Sequence, residues 1–133
     1  MTKPFWRLTV RSSFSAAHAL RNYRGKCENL HGHNYVVEMI TEGAQLTEDV
    51  AFVADFSELK QYLNEALDAL DHKNLNELAP FTTINATSEN LARYLFQELK
   101  QKLAKLPVEL YGVTVWETEK QCATYIEPTS FSR

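Results

Sequence analysis

Cys27-Glu28-Asn29-Leu30-His31-Gly32-His33-Asn34-Tyr35 sets a thiol, a carboxylate and two imidazoles close together and then runs into Val36-Val37-Glu38-Met39-Ile40-Thr41, a stretch of strand character. Side chains alternate faces in an extended chain, so His31 and His33 point the same way, and the small Gly32 leaves the other side uncrowded. Two imidazoles on one face make half of a catalytic zinc site, which takes three protein ligands and keeps a fourth position open. The chain must supply one more ligand. Upstream, Trp6, Leu8 and Val10 alternate with polar neighbours between Phe5 and Phe14, the period-two pattern of a half-buried strand. That strand ends in Ser15-Ala16-Ala17-His18-Ala19-Leu20. A lone histidine there is ordinarily a hydrogen-bonded core residue. A hairpin-like return through the basic loop Arg21 to Lys26, however, brings His18 beside His31 and His33.

Downstream, Glu42 to Asp49 has the composition of a polar turn, and Val50-Ala51-Phe52-Val53 is a candidate short strand. Phe56, Leu59, Leu63, Leu67 and Leu70 then recur at three- and four-residue spacing, predicting an amphipathic helix capped by Asp55 or Ser57 and ending at Asp71-His72. A second helix starts at Thr87-Ser88-Glu89-Asn90 and carries Leu91, Leu95, Leu99, Leu103 and Leu106 until Pro107 stops it. Both leucine stripes are core. Residues 108–118 return to strand character with Glu117 on the face of Val113 and Val115, and 122–127 form a last strand. Strand, strand, helix, helix, strand, strand is the order of an α+β fold: a small antiparallel sheet with two helices on one face.

The chain has 133 residues, 44% hydrophobic and 23% charged, the size of one globular domain with a single core, 1–133. A net charge of -3 and pI near 5.8, with no block of lysine or arginine, argue against nucleic acid or a membrane surface as partner. Cys27 and Cys122 are too few for a disulfide scaffold, the start of the chain lacks the apolar run of a signal peptide, and no apolar segment reaches about 18 residues. A cytoplasmic protein with reduced thiols is expected.

The remaining polar candidates each have a plain and a chemical reading. Asp71 beside His72 is either a solvated pair past a helix end or a carboxylate orienting an imidazole for proton transfer. Cys27 is either a small buried hydrophobe or a thiolate activated by nearby positive charge. Glu117 either reaches solvent at its strand end or meets a donor, because burying it unpaired is costly. Other readings are a different three-histidine zinc enzyme, such as a hydratase or hydrolase, and a noncatalytic fold with a zinc site closed by a fourth protein ligand.

Phe14-Ser15-Ala16-Ala17-His18, Cys27 with its spacing to His31-Gly32-His33-Asn34-Tyr35, Val53-Ala54-Asp55-Phe56, Asp71-His72 with Leu75-Asn76, Thr87-Ser88-Glu89-Asn90 and Trp116-Glu117-Thr118 closely resemble the 6-pyruvoyl-tetrahydropterin synthase family over nearly the whole chain. The three-residue gap between Cys27 and His31 is most similar to the bacterial 6-carboxy-tetrahydropterin synthase branch of the queuosine pathway. The animal-type pyruvoyl enzymes have a longer gap. The resemblance implies a T-fold, whose subunit sheets join around a barrel with pterin sites between subunits, usually in a hexamer of two trimers. It implies Zn2+ held by His18, His31 and His33, Cys27 as general base, Asp71 with His72 as proton relay, and Glu117 as pterin anchor. Thr87, Ser88 and Glu89 are expected near the same pocket. The implied activity is a lyase converting 7,8-dihydroneopterin triphosphate to 6-carboxy-5,6,7,8-tetrahydropterin, with loss of acetaldehyde and triphosphate. Basic residues between Arg21 and Lys26 are candidates to receive the triphosphate. Glu28 resembles a glutamate of a folate-type variant that cleaves the dihydroneopterin side chain to a hydroxymethyl-pterin. Neighbours in an extended segment point to opposite faces, so one of Cys27 and Glu28 is expected to aim at the substrate, and Cys27 is the expected one.

Overall fold

The alternating pattern of the first third of the chain becomes two long strands, β1 (Trp6–His18) and β2 (His31–Gly43), in a computed structural model that describes residues 3–133. They pair antiparallel without interruption from Trp6↔Gly43 to His18↔His31. Leu8, Val10, Phe14, Ala16 and His18 of β1 and Tyr35, Val37, Met39 and Thr41 of β2 are all buried, so one face of this ribbon is core. A one-residue slip would turn every one of them to the other face, and this fixes the register. β3 (Lys73–Asn74), β4 (Glu109–Thr118) and β5 (Gln121–Ile126) complete a sheet of order β3-β1-β2-β4-β5. All its pairings are antiparallel except the short one between β1 and β3.

Both helices lie on the buried face. Helix α1 (Phe56–Asp68) is capped by Asp55, whose carboxylate accepts from the Ser57 amide at 2.8 Å, and it buries Leu59, Leu63, Ala66 and Leu67. Helix α2 (Ser88–Lys102) is capped by Thr87, whose hydroxyl oxygen accepts from the Asn90 amide at 3.1 Å, and it buries Leu91, Ala92, Leu95, Phe96 and Leu99. α1 packs on β1, α2 on β4 and β5, and the helices touch each other. Each fully buried leucine contributes about 1.5–3 kcal/mol, so this face dominates stability. No helix among the described residues is long and apolar enough to cross a membrane.

Four local expectations are corrected. Val50 to Val53 is not a strand: the chain folds back, with the Thr47 amide donating to Phe52 O at 3.0 Å and Ala51 at φ 66, and among the described residues no strand pairs with it. Phe56 leaves the core stripe; it begins the helix ahead of the packed turns and is 61% exposed. α2 ends at Lys102, and Leu103 and Leu106 continue the apolar side through a turn closed by Leu106 N to Leu103 O at 3.0 Å. Glu42 is not in a turn: it lies within β2, fully buried, and accepts from Arg7 Nε and Thr129 Oγ1, both at 2.5 Å. Partners distant in sequence make its burial tolerable.

Candidate metal centre and adjoining cavity

The last rung of the β1–β2 ladder is His18↔His31, and His33 lies one step back, opposite Ala16. One ring nitrogen of each histidine falls within 4.8 Å of the other two. The tautomers follow from the acceptors around them. His18 Nδ1 is 2.7 Å from the Ala86 carbonyl, and His31 Nδ1 is 2.7 Å from the Asn29 carbonyl. A carbonyl only accepts, so both Nδ1 atoms carry the hydrogen and both Nε2 atoms present lone pairs. Those two Nε2 atoms are 2.9 Å apart, and His33 Nε2 is buried with no hydrogen-bond partner. Two lone pairs facing each other beside an unpartnered third ring nitrogen are unfavourable unless a cation lies between them, and carbonyl acceptors on the far nitrogen are the usual support of metal-binding imidazoles. The donor set therefore fits a metal ion. Burial lowers the pKa of His18 and His33, reinforced by the neighbouring imidazoles against the opposing pull of Glu117, which favours the neutral, ligating form.

Two asparagines hold the chain just past His18. Asn76 Oδ1 accepts from Ala19 N at 2.8 Å while its Nδ2 donates to Ala19 O at 3.0 Å. Asn85 repeats the arrangement on Arg21 N and O, both at 2.9 Å. The Arg21 guanidinium is itself engaged, donating to the Phe81 and Ile84 carbonyls at 3.0 and 3.2 Å, so of the loop's basic groups it is the one committed to structure. The role of Asn85 was not legible in the sequence. Its only signal is a primary amide in a short segment between apolar residues.

Glu117 is brought to the histidines as its place on the Val113 and Val115 face predicts. Its two carboxylate oxygens lie 4.0 Å from His18 Nε2 and from His33 Nε2. Beside it opens a cavity of about 250 Å³ lined by Leu20, Thr87, Ser88, Glu89, Glu117 and Cys122, among others. The start of α2 thus meets the end of β4 next to the metal centre. Cys122, an exposed thiol in this lining, was not anticipated.

Cys27 and Glu28 lie in a 3-10 turn, Lys26–Glu28, with the Cys27 carbonyl accepting from Leu20 N at 2.8 Å. The extended conformation expected there is corrected, because residues of such a turn diverge by about 120° rather than alternating. Cys27 is half-buried and Glu28 exposed. Asp71 and His72 lie at the β3 edge. Asp71 Oδ1 accepts from Ser15 N at 2.9 Å, Asp71 Oδ2 is 2.9 Å from His72 Nδ1, and His72 N donates to Ser15 O at 2.6 Å. The Ser15 amide first, and His72 second, hold the Asp71 carboxyl below its ordinary pKa. His72 adopts a left-handed φ of 58 and its side chain is 81% exposed. It lines a second hollow, of about 510 Å³, together with Ser15, His33, Asn34 and Lys73. Within one chain, neither Asp71 nor His72 lines the cavity at Glu117.

The sequence pattern of 6-pyruvoyl tetrahydropterin synthase matches residues 7–128. The chain belongs to the 6-pyruvoyl tetrahydropterin synthase family. A putative 6-pyruvoyl tetrahydrobiopterin synthase of Caenorhabditis elegans is 39% identical over 126 residues, 85% of this chain and 89% of that one. The solved Caenorhabditis elegans 6-pyruvoyl tetrahydropterin synthase superposes with a TM-score of 0.80 at 34% identity, covering 96% of this chain and 99% of that one. A putative 6-carboxy-5,6,7,8-tetrahydropterin synthase of Archaeoglobus fulgidus is 38% identical over 93 residues, 70% of this chain and 75% of that one. A dihydroneopterin monophosphate aldolase of Pyrococcus furiosus is 33% identical over 111 residues, 84% of this chain and 89% of that one. The fold is the family's T-fold subunit, an enzyme scaffold for pterin chemistry, and this chain places on it three histidines that could hold a metal ion.

Proposed function

We propose that this chain is a zinc-dependent lyase of the cytoplasm that converts 7,8-dihydroneopterin triphosphate and one water to 6-carboxy-5,6,7,8-tetrahydropterin, acetaldehyde and triphosphate, in queuosine biosynthesis. The observation that carries this reading is the spacing of Cys27 to His31, the spacing of the carboxy branch, on a chain whose three histidines converge next to Glu117. His18, His31 and His33 would hold zinc, which supplies a Lewis acid for the substrate's side-chain hydroxyls. Glu117 accepts from the adjacent N–H donors of the aminopyrimidinone edge, a role suited to an acceptor-only carboxylate. Thr87, Ser88 and Glu89 line the same recess. Cys27 takes the carbon-bound proton, and His72, oriented by Asp71, returns one.

Asp71 and His72 lie outside the Glu117 cavity of their own chain, so they serve the site of an adjoining copy. β1 beyond its short pairing with β3, and the outer side of β5, offer unpaired backbone edges through which sheets join. The assembly proposed is a barrel of subunit sheets in a hexamer of two trimers, with the whole chain, 1–133, acting as one domain. Its partner is the small-molecule pterin rather than nucleic acid or membrane. Both thiols are free, which suits the cytoplasm.

A second reading rests on Glu28, immediately after Cys27, and on the aldolase relative: cleavage of the dihydroneopterin side chain to a hydroxymethyl-pterin. Incubation of the zinc-loaded protein with dihydroneopterin triphosphate, with products identified by mass, decides among carboxy-, pyruvoyl- and hydroxymethyl-pterin. Cys27→Ala is expected to abolish the carboxy product while retaining zinc, and Glu28→Ala to leave most of it. A hydroxymethyl product lost only in Glu28→Ala would replace the carboxy reading by the second one, and separate products lost in each variant would mean a dual-function enzyme.

A further inference from the structure

Of the cavity residues on β4 and β5, Glu117 is the one the strand ladder skips. The β2–β4 pairing runs from Glu42↔Glu109 to Val36↔Trp116 and stops there. On the other side β4 pairs with β5 at Trp116↔Cys122 and next at Thr118↔Gln121, which makes Glu117 the extra residue of a β-bulge. A bulged residue has no opposite number in the ladder, and bulges turn side chains in new directions. The two flanking residues are tied down instead. Thr118 Oγ1 accepts from Lys120 N at 3.2 Å in the turn. On the sheet face away from the histidines, the Trp116 indole Nε1 donates to Glu38 Oε1 at 2.7 Å, and Glu38 Oε2 lies 3.7 Å from Arg11 Nε. Trp116 is joined to Glu117 by a planar peptide bond, so a shift of the Trp116 backbone carries Glu117 with it.

We propose that Trp116 and Glu38 are positioning residues for Glu117: the indole-to-carboxylate hydrogen bond locks the last residue of β4 that both neighbouring strands hold, and thereby fixes the aim of the Glu117 carboxylate into the cavity. The inference rests on the reading that Glu117 receives the pterin's donors. A hydrogen bond to an ionised acceptor is stronger than one between neutral groups and suits this task. It also explains why a tryptophan, whose one donor needs a partner when partly covered, stands on the polar face of the sheet.

The test uses the zinc-loaded full chain and neopterin as the probe, read by its fluorescence, together with zinc content and steady-state kinetics. Trp116→Phe keeps the ring and removes the donor; Glu38→Leu removes the acceptor; Glu38→Gln keeps an acceptor oxygen. Trp116→Phe and Glu38→Leu are each expected to weaken neopterin binding roughly five- to tenfold, the scale of one lost hydrogen bond. The loss should appear in KM more than in kcat, with zinc stoichiometry unchanged. Glu38→Gln should restore binding to within about twofold, and the Trp116→Phe/Glu38→Leu double variant should be no weaker than either single one. Wild-type binding in both single variants, alongside weakened binding in Glu117→Gln, would overturn this proposal and leave the Glu117 assignment standing. Wild-type binding in Glu117→Gln would overturn both. Loss of zinc in Glu38→Leu, or no rescue by Glu38→Gln, would assign the pair a general structural role and also overturn the proposal.

Discussion

The two ends of the β1–β2 ribbon bury polar groups in opposite ways. At one end Glu42 is fully enclosed, yet Arg7 Nε and Thr129 Oγ1 both donate to it at 2.5 Å. Burial pushes its carboxyl upward, and the hydrogen bonds from Thr129, Arg7 and Ser132 more than offset this, leaving it below its ordinary pKa. At the other end His33 Nε2 is buried with no partner, and the Nε2 atoms of His18 and His31 lie 2.9 Å apart with no hydrogen between them. Burial alone therefore does not mark function. A satisfied buried charge ties strands together, whereas an unsatisfied convergence of donor atoms is a place prepared for something else.

The largest expected effect falls at the unsatisfied end. His33→Ala should remove most bound zinc and nearly all turnover, since two ligands do not hold an open catalytic site; metal analysis showing stoichiometric zinc would break the comparison. Next, Glu117→Gln should weaken pterin binding by about ten- to a hundredfold, the worth of hydrogen bonds to a charged acceptor, with zinc content unchanged. Unaltered binding would return Glu117 to the surface. At the satisfied end, Glu42→Ala should cost about 1–3 kcal/mol of stability by orphaning its donors, measured by denaturant unfolding, and should leave zinc affinity alone. The smallest effect concerns acid. Because the folded Glu42 pKa lies below that of the unfolded chain, its stabilisation is present above the unfolded carboxylate value of about 4.3 and is lost as pH falls through the folded one. Glu42→Gln should flatten that limb of the Tm–pH curve; an identical limb would remove Glu42 from the acid response.

Much of the fold was legible because the decisive patterns are local. Alternation in Trp6, Leu8 and Val10 set the first strand's face, leucine spacing and the Asp55 and Thr87 caps set the helices, and parity alone put Glu117 with Val113 and Val115. The histidine cluster was legible for the same reason, since a hairpin return aligns His18 with His31. Long-range partners were not. Glu42 has the composition of a turn residue until Arg7, 35 positions away, and Thr129, 87 positions away, are seen to donate to it. Asn76 and Asn85 clamp backbone 57 and 64 positions earlier, which no spacing signals. The segment at Cys27 was misjudged because a single 3-10 turn leaves no periodicity to detect.

The three imidazoles that could hold a metal ion, His18, His31 and His33, lie between positions 18 and 33 of the chain, on the two strands of one hairpin. The β ladder from Trp6↔Gly43 to His18↔His31 has already closed the loop that an ion would close, so binding constrains little chain that is not constrained beforehand. Most of the ion's binding free energy is then left as affinity rather than diverted into folding.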